Sequence, residues 1–337
     1  MSHEAPAFWR SRSLPAAVLL PLGALFALLA ALRRTLYRTG VLRAVRLPVP
    51  VVVVGNIAVG GSGKTPAVDW LVARLREAGY TPGIVSRGYG GRVVGVALVP
   101  RDGDPALFGD EPVLLARLTG CPLAVGADRP AAARALLAAH PQCDLIVADD
   151  GLQHYRLARD VEVAVVDEAT LGNGWRLPAG PLREPLARLR TVDAILAHGA
   201  LSPGLARRLA GRPVFGMALV GDAFRPLGAA GAPRPAAAFR GQRMHAVAGI
   251  GRPERFFAQL EGLGIAVVPH PFPDHHRYTP QDLDFAPGEA KVLTSKDAVK
   301  CATFAPADCW EFPVTARIAP GAAERILEKL SHGRATA

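Results

Sequence analysis

Lysine is scarce in this chain: 5 residues of 337, against 34 arginines. That skew, set among abundant Ala, Gly and Pro, reads as compositional bias and excludes little. Cysteine is rarer still. Cys121, Cys143, Cys301 and Cys309 form no C-x-x-C pair, and no histidine cluster supplies zinc spacing, which argues against a zinc module. The expectation is inert or buried thiols in a reducing cytosol. Acid is nearly missing from residues 1–50, which hold seven Arg and one Glu. Aromatics make up 6% of the chain, and none interleave with a basic folded face as a nucleic-acid surface requires. No internal repeat and no heptad run is present, so a solenoid or coiled coil is excluded. Gly249-Ile250-Gly251 lacks the third glycine and the downstream acid of a dinucleotide fingerprint, so it reads as a tight packing turn. A guanine-reading Asn-Lys-x-Asp motif is also absent.

What is present bounds the class. Half the residues are hydrophobic, enough for a sizeable core, and the length suggests about two domains. The net charge of +10 is uneven, because the first 50 residues alone carry an excess of six positive charges. Leu14 to Leu32 is a charge-free apolar run, preceded by Arg10 and Arg12 and followed by Arg33, Arg34, Arg38, Arg43 and Arg46. A spanning helix needs about 20 apolar residues, so the run is borderline sufficient. An interfacial helix or helical hairpin, interrupted at Pro15, Pro21 and Gly23, is the favoured reading. The arginines directly after Leu32 argue against a cleaved signal peptide. Both remaining readings keep the rest of the chain on the cytoplasmic side, and the charge flanking an apolar segment points to an anionic membrane surface.

From residue 49 onward the pattern is α/β. "PVPVVVVGN" reads as a fully buried parallel strand, followed by the helical "AVDWLVARLREAG". Strands in "TPGIVSRGYGG", "PLAVG", "CDLIVADD" and "VEVAVVDE" alternate with helical segments, as in a parallel sheet with right-handed crossovers. After about residue 212 the pattern restarts. "PVFGMALV" is strand-like and Arg225 to Ala238 reads as a connector. "MHAVAGIGRPERFFAQLEGLGIAVV" is a strand–helix–strand unit, and "AKVLTSKDAVK" a strand followed by a loop. The expected organisation is a membrane-associating helical segment over 1–48, a P-loop NTPase-type parallel sheet domain over 49–212, and a smaller α/β domain over 213–330.

The chemistry concentrates after the first strand. Ala58-Val59-Gly60-Gly61-Ser62-Gly63-Lys64-Thr65 approximates the G-x-x-x-x-G-K-[ST] phosphate loop, with Ala58 in place of the first glycine. Glycines let backbone N–H groups face phosphate oxygens, and the following helix start adds partial positive charge. Lys64 would reach the β- and γ-phosphates, and Thr65 would ligate Mg²⁺. Asp149 and Asp150 follow a buried strand, where adjacent carboxylates are costly unless they meet a cation, so at least one is expected on the metal. "GDEP" supplies Asp110 and Glu111 at a helix start, and "FPDHHRY" supplies Asp274, His275 and His276. Arg87 stands at a strand end, where α/β sheets bind ligands.

"GNIAVGGSGKTP", "VSRGYGG", "GDEP", "DDGLQHYRLARD", "GNGWRLPAGPLREP", "AGIGRPERFF" and "TSKDAVK" occur in this order. Together with the basic apolar N-terminus, they resemble the tetraacyldisaccharide 4'-kinase family of lipid A synthesis, over roughly residues 10–320. The resemblance implies an enzyme at the cytoplasmic face of the bacterial inner membrane. It would transfer the γ-phosphate of ATP, with Mg²⁺, to the 4'-hydroxyl of an acylated glucosamine disaccharide 1-phosphate, yielding lipid IVA. It further implies two α/β domains with the site between them, Asp110 and His275 as the catalytic pair, and Glu111 on metal or substrate. Arg129 and Arg183 match positions suited to phosphate. The family commonly has Ser or Thr where Ala58 stands, and Thr-Glu-Lys-Asp where this chain has Thr294-Ser295-Lys296-Asp297. A membrane-recruited nucleotide switch of GTPase or metal-insertion type is the competing reading. Neither a nucleic acid nor an obligate protein partner is expected.

Overall fold

The computed structural model describes residues 6–228 and 231–335. After a 3-10 turn at Ala7–Trp9 come a short helix, α1 (Leu14–Val18), and a long one of 19 residues, α2 (Leu20–Arg38). Pro15 and Pro21 occupy first-turn positions of these helices, where their missing N–H costs nothing, so the prolines start helices rather than break one. Gly23, expected as an interruption, sits inside α2, buried against Ala179 and the Arg176 carbonyl.

A nine-stranded sheet follows. Its strands are β1 (Val51–Gly55), β2 (Pro82–Ser86), β3 (Val96–Leu98), β4 (Leu123–Gly126), β5 (Leu145–Asp149), β6 (Val161–Val166), β7 (Ala194–His198), β8 (Val214–Val220) and, much later, β15 (Thr315–Ile318). The order across the sheet is β15-β8-β7-β6-β1-β5-β2-β4-β3. All neighbours are parallel except the edge pairs β15–β8 and β3–β4. The crossovers carry α3 (Lys64–Glu77), α4 (Pro105–Phe108), α5 (Asp110–Thr119), α6 (Arg129–Ala139) and α7 (Pro203–Arg208).

β1 shows why the run of valines was legible. Val52 and Val54 pack into one core with Val68, Leu71 and Leu75 of α3, while Val51 and Val53 pack into the core on the other face with Leu136, Leu152 and Leu171. A strand covered on both faces has no polar side, and each buried valine contributes about 1.5–3 kcal/mol.

The second sheet has the order β10-β9-β14-β13-β11-β12. Its strands are β9 (Ala223–Pro226), β10 (Arg234–Pro235), β11 (Arg243–Ala248), β12 (Ala266–Pro271), β13 (Lys291–Thr294) and β14 (Cys309–Phe312), with α8 (Pro253–Gly262) and α9 (Ser295–Cys301) as crossovers. α10 (Ala322–Ala335) returns to the first core, where Ala322, Ile326 and Leu330 are buried. Three local expectations change. The connector over 225–238 contains the end of β9 and the whole of β10. β8 and β15, placed by sequence with the second unit, pair instead with the first sheet, extending it past β7. The expected loop after β13 is a helix, because Thr294 caps it. Its hydroxyl accepts from the Asp297 backbone N–H at 3.2 Å and donates to Asp297 Oδ2 at 2.6 Å. All four cysteines are buried and free.

Candidate active site

The glycine loop runs from the end of β1 into α3. Gly63, the cap residue of α3, has φ 88°, a conformation that suits glycine and turns the following N–H groups outward. Asn56, 2% exposed, braces the loop by donating to Ser62 Oγ at 3.0 Å and to the Gly60 carbonyl at 3.4 Å. Ala58 is buried and bridges to Leu182, and the Val59 N–H donates to the Pro181 carbonyl at 2.9 Å. The loop's entry is therefore packed against a second chain segment, which explains why a small residue stands there.

Lys64 Nζ lies 3.5 Å from Asp150 Oδ1, at the end of the neighbouring strand. Asp150 also accepts a two-point bond from Arg183 at 2.9 and 2.8 Å. Burial pushes its carboxyl up, but Lys64 and Arg183 outweigh burial and hold it well below the usual carboxylate range. Asp149 contrasts with it. It is 2% exposed and accepts one hydrogen bond from Ser86 Oγ at 3.0 Å. Burial, with the Glu111 and Asp150 charges, pushes it up to about 6.

The three arginines named from sequence take different places. Arg183 holds Asp150 and also donates to the carbonyl and side-chain oxygens of Asn56. Arg129 is 3% exposed and donates to the Gly126 and Asp149 carbonyls at 3.1 and 3.0 Å, so it braces the ends of β4 and β5 from within. Burial brings it down to about 10. Arg87 is exposed and lines a cavity of about 300 Å³ with Tyr89, Val125 and the glycines around them, at the carboxyl ends of β2 and β4.

Across the cleft the chain brings Asp110, at the start of α5, to His275, in the loop after β12. His275 Nδ1 is 2.9 Å from Asp110 Oδ2 and 3.1 Å from Oδ1. His275 has φ 60°, an uncommon value for a non-glycine residue that the surrounding contacts impose. Asp110 is 6% exposed, and burial alone would raise its carboxyl. The His275 hydrogen bond and the Lys296 charge bring it down to about 2. His276 turns away to Asp282 at 3.3 Å and packs on Phe272, which separates the two adjacent histidines by role.

Lys296 lies in the Thr294–Asp297 stretch, where the sequence alone gives it no role. Its ammonium sits 3.1 Å from Glu111 Oε1, 3.2 Å from Asp274 Oδ1, 3.3 Å from His275 Nε2 and 3.9 Å from Asp110 Oδ2. Those carboxylates outweigh burial and hold its pKa far above the ordinary lysine range. The Thr294-x-x-Asp297 capping pattern was the available signal, since it starts a helix that aims Lys296 at α5. Tyr89, whose ring meets His275 edge-on at 5.2 Å, was also missed. Glu111 joins the two halves. Lys296 holds its carboxyl low and Lys64 adds to this, while Glu111 in turn raises Asp149. Among the described residues, no group of three or more His, Cys, Asp or Glu has the arrangement of a metal cage.

Comparison with known proteins identifies the family of the chain. Residues 15–331 match the family profile LpxK, tetraacyldisaccharide-1-P 4'-kinase. A tetraacyldisaccharide 4'-kinase from Aromatoleum aromaticum is 74% identical over 100% of both chains. One from Azoarcus sp. strain BH72 is 66% identical over 98% of this chain and 96% of its own. The crystal structure of LpxK from Aquifex aeolicus in complex with ATP superposes with a TM-score of 0.79 at 30% identity, covering 95% of this chain and 99% of that one. With the profile spanning nearly the whole chain and relatives this close, the chain belongs to the tetraacyldisaccharide-1-P 4'-kinase family.

Proposed function

We propose that this chain binds ATP on the 58–65 loop and transfers its γ-phosphate to the 4'-hydroxyl of an acylated glucosamine disaccharide 1-phosphate, forming lipid IVA. The observation that carries the reading is the shared cleft. Lys64 of the glycine loop and Lys296 beside the carboxylate–imidazole pair both act on the one Glu111 carboxylate, and a Cβ on Gly251 would touch both Gly61 of the loop and Asp274.

Phosphoryl transfer to an alcohol is mostly positioning and charge neutralisation, with a group to receive the hydroxyl proton. Nδ1–H donated to Asp110 leaves the lone pair of His275 on Nε2, so His275 is the base and Asp110 orients it. In the free enzyme Lys296 occupies that lone pair at 3.3 Å, and an entering hydroxyl takes its place. Lys296 then remains beside the imidazole, balancing Glu111 and Asp274. Arg183 keeps Asp150 ionised and fixed beside Lys64, and Arg129 holds the strand end from below, so neither is required to contact substrate. Arg87 and Tyr89 are the groups left facing the acceptor side.

The donor set suits Mg²⁺: Asp149 is a hard oxygen ligand, buried without a paired cation, whereas Asp150 is already engaged by Arg183 and Lys64. Asp149 and the Thr65 hydroxyl would hold the ion, with Glu111 at its edge and Asp150 placing Lys64. Bound there, Mg²⁺ supplies charge neutralisation on the phosphates.

The N-terminal helices suit a substrate that stays in a bilayer. By length and composition α2 is apolar enough to cross a membrane, and Gly23 is its one buried residue among those described. Leu22, Leu25, Leu28, Leu29 and Leu32 are each more than half exposed, and Arg10, Arg12, Arg33, Arg38, Arg43 and Arg46 stand out from the same region. α2 is also docked on the protein at both ends, through Gly23 on Ala179 and through Tyr37 against Tyr155 at 6.2 Å. A helix held against the protein body in this way suits the interface of the cytoplasmic leaflet of the inner membrane, with its rim of arginines on anionic headgroups. No nucleic acid and no obligate protein partner enters the reading. On this reading residues 49–220 with 315–335 form the phosphate-binding lobe, and residues 223–312 form the lobe that completes the cleft.

The deciding experiment is incubation of the protein with γ-labelled ATP and the acylated disaccharide 1-phosphate, followed by locating the new phosphoester. Label at the 4'-position, absent with Lys64→Ala, is the expected result. Nucleotide hydrolysis that ignores the acceptor would favour the switch reading.

A further inference from the structure

The turn between β11 and α8, Gly249-Ile250-Gly251-Arg252, comes from the second sheet and lies on the glycine loop. A Cβ on Gly251 would stand 3.3 Å from the Gly61 amide nitrogen and 3.4 Å from Asp274 Oδ2. The Gly61 N–H belongs to the set that such a loop directs at phosphate oxygens. Backbone from the second sheet therefore reaches the edge of the phosphate site, and a side chain at Gly251 would crowd it.

Two arginines follow from this turn, and both reach Asp167 at the end of β6, which is 1% exposed. Arg255 grips it at two points, through Nη1 to Oδ2 and through Nη2 to Oδ1 at 2.9 Å. Its Nη1 also lies 3.2 Å from His198 Nδ1 at the end of β7. His198 underlies the loop, since a Cβ on Gly63 would meet its Nδ1 at 3.3 Å. Arg252 reaches Asp167 only at 3.3 and 3.5 Å, and its side chain stays 35% exposed.

One carboxylate thus faces two guanidinium groups. The two-point pair with Arg255 already neutralises Asp167, so the charge of Arg252 is surplus. That surplus stands next to a residue in contact with the phosphate loop. A triphosphate entering the cradle offers Arg252 several anionic oxygens in exchange for a long contact to a satisfied partner.

We propose that this turn is a wall of the triphosphate site, with Arg252 binding phosphate oxygens of the nucleotide and the Asp167–Arg255 pair pinning the turn over the loop. The inference rests on the nucleotide reading above and adds a ligand from the other lobe.

The test titrates ATP and AMP into the full-length protein by calorimetry. Arg252→Ala raises the Kd for ATP about tenfold while AMP binding changes far less, and Arg252→Lys recovers part of the loss. An ATP Kd within about twofold of wild type, in a variant with unchanged Tm, overturns the assignment. Lys64→Ala separates the two levels. If it abolishes ATP binding while Arg252→Ala leaves it intact, only this inference falls; if neither variant weakens ATP, the nucleotide reading falls with it. The pin has its own readout in a double-mutant cycle. In an Arg255→Gln background Arg252→Ala costs less than in wild type, and strict additivity would show that the pair does not position the turn.

Discussion

The two halves of the cleft are built in opposite ways. On the phosphate side, Lys64 and Arg183 converge on Asp150 and cations prevail. Across the cleft, one ammonium, Lys296, stands among Asp110, Glu111 and Asp274, and carboxylates prevail. On the proposed function the first half would receive a polyanion and the second a proton, so the division of charge would follow the division of chemistry. The halves also differ in sequence span. The glycine loop and its lysine are contiguous, whereas Asp110 and His275 are 165 residues apart.

The comparison breaks most easily at Lys64. Replacing it by Ala should lower turnover by roughly 10³-fold or more, as for other groups aimed at developing phosphoryl charge. Initial rates within tenfold of wild type would mean that the loop does not hold the transferred phosphate. On the other side, His275→Ala and Asp110→Ala should each cut kcat by about 10²–10⁴-fold with little change in KM for nucleotide. The double variant should be little worse than either single one, because the two act as a unit. A KM effect without a kcat effect would move the pair to binding.

Lys296→Ala sharpens the contrast from the stability side. It leaves three carboxylates facing one another in a poorly exposed site, and urea unfolding should show a loss of about 3 kcal/mol. An unchanged midpoint would mean the cluster is better solvated than its burial implies. The smallest effect is in pH. Asp110 is depressed to about 2 in the folded protein, against 3.8 for an ordinary aspartate. Its contribution is therefore complete above pH 3.8 and is lost as pH falls toward 2, about 2 kcal/mol in all. Asp110→Asn should remove that portion of the acid slope in unfolding titrations, and parallel curves for the two proteins would contradict the pairing.

Legibility followed locality. β1, α3 and the glycine loop were readable because a run of valines, a glycine turn and a helical pattern are each encoded within a few residues. The helix carrying Lys296 was read as a loop because its cap is a side-chain exchange between Thr294 and Asp297 in only seven residues, too short for periodicity to register. β8 and β15 were placed with the wrong sheet because a strand's sequence states its burial pattern but not its partner. Arg129 reads in the sequence as a residue suited to phosphate, like Arg183, and residue type alone does not reveal that its donors end on the Gly126 and Asp149 carbonyls.

By itself the sequence determined the buried parallel strands, the glycine loop at 58–65, the double acid at the end of β5 and the apolar, arginine-flanked start of the chain. These are properties of short segments, where backbone geometry, hydrophobic period and charge act between near neighbours. Only the tertiary structure decided that Asp149 is left without a cation while Asp150 has two, that Lys296 closes the Asp110–His275 pair, and that the turn at Gly251 lies on the loop at Gly61. Each of those depends on distances between residues far apart in the chain, and electrostatic and steric forces act over ångströms whatever the number of residues between the groups.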